Sequence, residues 1–254
     1  AYAHVVNERG DDEDVFVAAS TATATRLAQN AYSGLTSDQV RFLGAIGADP
    51  GVIVVAADSP YQTLNDLLDD VIANPGKHAF AGGSAAGGYD HLKVLMALKR
   101  KGFTDIRKVK YMAVDGDADA ITQTVGGFTS AMTGDISGVV SFIKSGEVRV
   151  LASFTDERIQ IPGLNAEIPT AKEQGIDVVA VNWRGLYTPK DASEASYQKW
   201  SDALAQVAAS KEWAEAMEAN GLVSFTKVGD DFQEYLDGVM AEVQDMSKEL
   251  GVIK

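Results

Sequence analysis

The run Gly82-Gly83-Ser84-Ala85-Ala86-Gly87-Gly88-Tyr89-Asp90 is the strongest chemical feature of the sequence. It follows a short apolar segment and precedes an amphipathic one, so it reads as a strand-to-helix turn. Such a turn presents unpaired backbone N–H groups at the positive end of a helix, which suits an anion. Residues as small as Gly83, Ala85, Ala86, Gly87 and Gly88 let a ligand approach the backbone, and Ser84 adds a hydroxyl. The turn lacks the lysine of a phosphate-binding P-loop, and no acid stands at a convincing ribose-binding position. The competing reading is a plain tight turn.

Two further segments carry polar groups at strand ends. Ser20-Thr21-Ala22-Thr23-Ala24-Thr25 places hydroxyls on small residues between a strand and a helix. Helix capping accounts for one or two of them, and the surplus points to a second half-site. Asn182-Trp183-Arg184-Gly185 offers a guanidinium able to hold a carboxylate through parallel hydrogen bonds, beside a Trp able to wall a pocket. A packed Trp beside a surface Arg is the competing reading. Asp115, Asp117 and Asp119 lack the other ligands of a calcium loop and read as a solvated helix start. The histidines, His4, His78 and His91, form no metal or catalytic motif, and there is no cysteine. The expectation is no cofactor, no metal and no catalysis.

Strand and helix signals alternate around these segments. Strands are expected at 15–19, 52–57, 78–82, 108–113, 129–133, 148–153 and 178–181. Helices are expected at 23–32, 64–73 with Thr63 as N-cap, 89–102, 118–125, 136–145 closed by Gly146, and 170–174. Beyond Pro189 the pattern is purely helical: 193–209, 211–220 and 230–250. This spacing implies parallel or mostly parallel sheets covered on both faces, an α/β class.

The chain has 254 residues, room for one large or two modest domains, and no apolar run long enough to cross a bilayer. The formal charge of −14 argues against nucleic acid and against docking on anionic lipid. It permits a small anion, because long-range fields are screened beyond about 8 Å at physiological salt. No signal peptide is visible, and residues 1–8 read as the inside of a processed or truncated chain.

Gly82-Gly-Ser-Ala-Ala-Gly-Gly-Tyr-Asp-His91, Val125-Gly-Gly127, Ile168-Pro-Thr-Ala-Lys-Glu-Gln-Gly-Ile-Asp-Val-Val179, Asn182-Trp-Arg-Gly185 and Thr188-Pro189 together resemble the TctC or Bug family, the solute-binding components of tripartite tricarboxylate transporters. The resemblance implies a type II periplasmic-binding-protein fold, two α/β lobes with a hinged cleft. Domain one would be 1–50 plus 186–254 and domain two 51–185, with crossovers near 52–57 and 178–187. It implies a monomeric periplasmic protein, not an enzyme, that takes a small organic di- or tricarboxylate and delivers it to integral-membrane transporter subunits. Carried over by position, Ser20, Thr21 and Thr23 would serve from domain one, and Gly83, Ser84, Ala85, Ala86, Gly87, Gly88, Asp135, Trp183 and Arg184 from domain two. The resemblance also implies that a first strand, a glycine-rich loop and a helix would precede the equivalent of Ala1. Asp135 stands where relatives often have an uncharged residue, which would disfavour a trianion or suit a ligand that also carries an amine. Two other functions fit the same residues: an α/β enzyme binding phosphate or nucleotide at the glycine turn, and a sensor feeding a membrane kinase.

Overall fold

The structure is a computed structural model that describes residues 1–161 and 167–253. In chain order the elements are α1 (Tyr2–Glu8), β1 (Val17–Ser20), α2 (Thr21–Ala28), β2 (Val40–Ala56), α3 (Leu64–Ala73), β3 (Ala79–Gly82), α4 (Tyr89–Arg100), β4 (Lys110–Ala113), α5 (Asp117–Val125), β5 (Ala131–Asp135), α6 (Ile136–Ser145), β6 (Val148–Ser153), β7 (Ile159–Gln160), β8 (Glu167–Ile168), β9 (Val181–Pro189), α7 (Glu194–Ala208), α8 (Lys211–Ala219), β10 (Lys227–Val228) and α9 (Asp230–Leu250). The chain forms two compact units, one of residues Ala1–Ala48 and Asn182–Lys254, the other Asp49–Val181.

Unit 1 is built on antiparallel strands. β1 pairs with β9, with Val17 opposite Tyr187 and Ser20 opposite Arg184. β9 lies beside β2, and β10 pairs with β2 through Lys227 opposite Ala45. Strand alternation sorts the side chains onto two faces. Phe42, Trp183 and Tyr187 join Tyr2, Leu27 and Phe232 in one core, under α1, α2 and α9. Leu43 and Ile46 face the other way, against Leu204 of α7, with Trp200 and Trp213 packed on them.

Unit 2 has a mixed sheet. β3 lies parallel to β4 and β5, while β2 runs antiparallel to β5 and β6. Local sequence dictates the helices that cover it. In α3, Leu64, Leu67, Leu68 and Val71 recur at helical spacing and all are buried. Each such side chain contributes about 1.5–3 kcal/mol on burial. The Thr63 hydroxyl accepts from the Asp66 amide at 3.1 Å, as a cap should. α6 stops at Gly146, which takes the left-handed conformation at φ +77°.

The structure differs from the sequence reading in strands and in helices: α1 lies outside the expected helices, and α2 covers Thr21–Ala28 where 23–32 was expected. The mostly parallel arrangement expected holds only for β3, β4 and β5. The strand expected at 52–57 is the end of β2, which begins at Val40. Gly44, Gly47, Pro50 and Gly51 hide its first part, because glycine and proline are poor strand formers. The strand expected at 178–181 starts only at Val181. The expected helix at 170–174 is a short 3-10 turn, Lys172–Gln174, and β10 interrupts the helical tail.

The β9–β2 approach requires glycine. A Cβ at Gly185 would overlap the carbonyl oxygen of Gly44. Gly185→Ala is expected to destabilise the protein by about 1–3 kcal/mol in urea unfolding, as overpacking does. Gly76→Ala, whose added carbon meets nothing within 4 Å, should leave the midpoint unchanged or slightly raised.

Candidate functional site

In unit 2 the strands β3, β4 and β5 are parallel, and each is followed by a helix: α4, α5 and α6. Their helix starts therefore gather at the carboxyl ends of the strands, where open α/β sheets bind ligands. The glycine turn occupies this edge. A Cβ at Gly82 would meet the Tyr111 hydroxyl at 2.5 Å and the Thr133 carbonyl oxygen at 2.8 Å. One at Gly83 would lie 2.9 Å from the Cα of Gly116, at the start of α5. The glycines thus permit close packing of neighbouring loops.

Much of the turn's polarity is consumed internally. The Ser84 amide donates to Asp90 Oδ2 at 2.9 Å, and the Asp90 amide donates to Ser84 Oγ at 3.1 Å. The Tyr111 hydroxyl donates to the Ser84 carbonyl at 2.9 Å. The Gly88 amide closes a turn onto Ala85 O at 2.7 Å. The Gly87 amide donates to His91 Nδ1 at 3.0 Å, so His91 carries its proton on Nε2. The amides of Gly83, Ala85 and Ala86 have no acceptor among the described residues, and these three residues are exposed. The free donors of the turn are fewer than its glycine content implies, and they belong to Gly83, Ala85 and Ala86.

Lys93 was not identified from sequence. It is fully buried on α4, with Nζ 2.6 Å from Asp135 Oδ1, 2.9 Å from Asp90 Oδ1 and 2.8 Å from the Gly134 carbonyl oxygen. Burial alone would depress its pKa, but Asp135 and Asp90 outweigh it and hold the ammonium above its ordinary value. The signal available was the i,i+3 spacing of Asp90 and Lys93 in an otherwise apolar helix. Asp135 is therefore a counter-charge to Lys93. Asp49, also buried, accepts from the Ser137 amide at 3.1 Å and its hydroxyl at 2.6 Å at the start of α6. Asp117 is held up to about 7 by burial first, then by Asp90 and Asp135. His91, stacked on Tyr111 at 4.5 Å, is pushed down to about 4 by burial, and its Nε2 has no partner among the described residues.

In unit 1 the expected residues divide by role. Thr21 is buried, and its Oγ1 accepts from the Trp183 amide at 3.0 Å, a structural bond. Thr23 Oγ1 accepts from the Ser20 amide at 3.4 Å, as part of the α2 cap. Trp183 and Arg184, expected in the second domain, belong to unit 1. Trp183 is fully buried, edge-on to Phe232 at 5.0 Å and to Phe42 at 6.3 Å, so it is a core residue. Arg184 follows it on the strand and turns to the opposite face, bordering a cavity of about 380 Å³ beside Leu43, Leu186, Trp200 and Trp213. Ser20 lies opposite Arg184 in the β1–β9 register.

A Ser–His–Asp sequence of contacts exists that no motif announces. His78 Nδ1 lies 3.0 Å from Ser130 Oγ, and Nε2 lies 3.4 Å from Asp70 Oδ2. Asp70 also accepts from the Tyr61 hydroxyl at 2.7 Å. The His78–Asp70 approach does not have hydrogen-bond geometry, and the ring presents Nδ1, not Nε2, to the serine. His78 precedes β3, at the end away from the glycine turn. The contacts tie the start of that strand to α3. Among the described residues no group of His, Asp and Glu could hold a metal ion, and no helix is long and apolar enough to cross a membrane.

Comparison with known proteins gives a consistent picture. The family model described as "Tripartite tricarboxylate transporter family receptor" (TctC) matches residues 15–252. A UPF0065 protein of Cupriavidus necator is 22% identical over 203 residues, 80% of this chain and 59% of the relative. The chain spans between 50% and 59% of the length of the curated relatives it matches. Among solved structures, a TctC solute-binding protein from Polaromonas aligns at TM-score 0.78 and 22% identity, covering 98% of this chain and 82% of its own. An R. palustris protein solved with adipate aligns at TM-score 0.79 and 17% identity, covering 98% and 81%. These likenesses show the two-lobed α/β fold of periplasmic binding proteins.

The buried charges generate two expectations. Lys93→Met leaves Asp90 and Asp135 without their counter-ion and is expected to cost about 3–5 kcal/mol in denaturant unfolding. The His91 expectation follows from linkage. The unfolded chain takes up the imidazole proton below about 6.5, whereas the folded protein resists it down to about 4. Stability therefore falls as pH drops through that window, by on the order of 3 kcal/mol. His91→Gln, which keeps an acceptor for the Gly87 amide, should flatten this part of the pH–stability curve.

Proposed function

We propose that this chain, which belongs to the tripartite tricarboxylate transporter receptor (TctC) family, is the periplasmic solute-binding component of such a transporter and captures a small organic di- or tricarboxylate without altering it. The observation that carries the reading is the exposed apex of the glycine turn. The amides of Gly83, Ala85 and Ala86 lie in the loop ahead of α4, whose N-cap is Gly88, among neighbouring groups already paired with one another. A carboxylate placed there gains charge-assisted hydrogen bonds of about 1.5–3 kcal/mol each and the favourable end of the helix dipole. Two or three such bonds supply about 3–9 kcal/mol, so micromolar binding, at about −8.2 kcal/mol, requires further ligand contacts once the entropy of association is counted.

Net charge does not oppose this. The −14 of the chain is screened beyond about 8 Å, so nearby donors decide the affinity. In unit 1 the reading assigns ligand contact to Ser20 and Arg184, which face each other in register. Thr21 and Trp183 support from behind. The partners implied are the membrane subunits of the transporter, which would recognise the loaded protein. The adipate bound by the R. palustris neighbour makes a dicarboxylate the natural first probe.

Calorimetry and thermal-shift titrations with adipate, malate and citrate should show saturable stabilisation by at least one of them, with the acid recovered chemically unchanged. Ala86→Glu adds a carboxylate at an exposed position of the apex and is expected to weaken that binding at least tenfold, with little effect on the melting point of the free protein. Arg184→Ala should weaken it by a similar factor. An unchanged affinity in either variant removes that residue from the site.

A further inference from the structure

The carboxylates behind the glycine turn outnumber their partners. Asp49 is satisfied by Ser137, and Asp90 and Asp135 share the buried ammonium of Lys93. The remaining oxygen of Asp90 takes the Ser84 amide. The carboxylate of Asp117, first residue of α5, takes part in no hydrogen bond or ion pair among the described residues. Its carboxylate is wedged against the start of α6: a Cβ at Gly134 would lie 2.6 Å from Asp117 Oδ1, and one at Gly138 would overlap Oδ2. The charged groups near enough to act on it electrostatically are Asp90 and Lys93 of α4, Asp135 at the end of β5 and Asp49 of β2. Only Lys93 is cationic, and it is already shared.

The mechanical path to the turn is short. Asp117 follows Gly116, whose backbone packs on Gly83 at the turn's first residue. Asp90, which is paired with Lys93, holds the Ser84 amide in place. A charge appearing on Asp117 would therefore act on both anchors of the turn. It would also add negative potential beside the apex amides.

We propose that Asp117 is a proton switch for the glycine turn: protonated, it leaves the Lys93–Asp90–Ser84 chain undisturbed and the apex receptive to an anion; ionised, it loosens that chain and repels the anion. The link to anion capture rests on the solute-binding reading above, whereas the coupling of Asp117 to the turn does not.

Linkage gives the sign. Folding raises the affinity of Asp117 for its proton, from an ordinary value of 3.8 to about 7, with burial the main cause. The stability this contributes is complete at low pH and is lost as pH rises through about 7. That window lies above the His91 transition, so the two separate.

The test is a carboxyl and amide NMR titration between pH 6 and 8.5 on the whole chain. Asp117 is assigned by its absence in Asp117→Asn, and Asp115→Asn, at an exposed position two residues earlier, serves as a control. Expected is a midpoint near neutrality for Asp117, with the Ser84, Ala85 and Ala86 amides following the same midpoint. Both should vanish in Asp117→Asn and persist in Asp115→Asn. Asp117→Asn should also melt higher than the parent at pH 8.5 and equally at pH 6. Turn amides that stay flat, or that titrate unchanged in Asp117→Asn, overturn the switch. With adipate as the probe, the parent should bind several-fold more tightly at pH 6.5 than at 8.5 and Asp117→Asn equally at both; pH-independent binding in the parent overturns the anion link. If adipate binds at neither pH, the ligand reading fails, and the titration alone decides the switch.

Discussion

The buried ammonium of Lys93 organises the functional edge of unit 2. A lysine with no solvent access is tolerable only if its charge is compensated and its donors are used. Asp135, Asp90 and the Gly134 carbonyl oxygen meet that demand from the end of β5 and the first turn of α4. Because Asp90 also grips the Ser84 amide, the lysine indirectly sets the shape of the glycine turn. The turn is thus a short loop pinned at one side by a charge network and at the other by Tyr111.

This pinning explains how glycine-rich sequence becomes a defined loop. Glycine by itself confers freedom, which would oppose ligand capture through the entropy of ordering. Here Gly82 and Gly83 are used for close contact with Thr133, Tyr111 and Gly116. The internal bonds of Ser84, Gly87 and Gly88 fix the remainder, so the apex amides are held in advance. Donors fixed in this way need no further ordering to meet an anion.

Unit 1 shows the same economy in another form. The hydroxyls after β1 are mostly occupied in building α2 and in holding β9, through Thr21 to the Trp183 amide and Thr23 to the Ser20 amide. Trp183 belongs to an aromatic core with Phe42 and Phe232, which anchors the strand carrying Arg184. Neighbouring residues on a strand face opposite ways, so Trp183 and Arg184 cannot wall one pocket together.

Local patterns were legible wherever the interactions that form them are local. The spacing of Leu64, Leu67, Leu68 and Val71, the Thr63 cap, the stop at Gly146 and the full extent of α9 are all decided within a turn or two of chain. The family signature and its α/β class were legible for the same reason, since short contiguous motifs carry them. What the sequence could not disclose is which polar groups are already spent. Asp135 reads as a spare carboxylate until Lys93, 42 positions away, is seen to hold it. Asp117 reads as a solvated helix start until Gly134 and Gly138 are seen to close over it. Likewise, the first part of β2 is hidden by its glycines and Pro50 until partner strands supply the hydrogen bonds. Propensity, capping and periodicity act over a few residues and can be read in line. Charge compensation, burial and strand pairing depend on distances between segments far apart in the chain, and only the tertiary structure decides them.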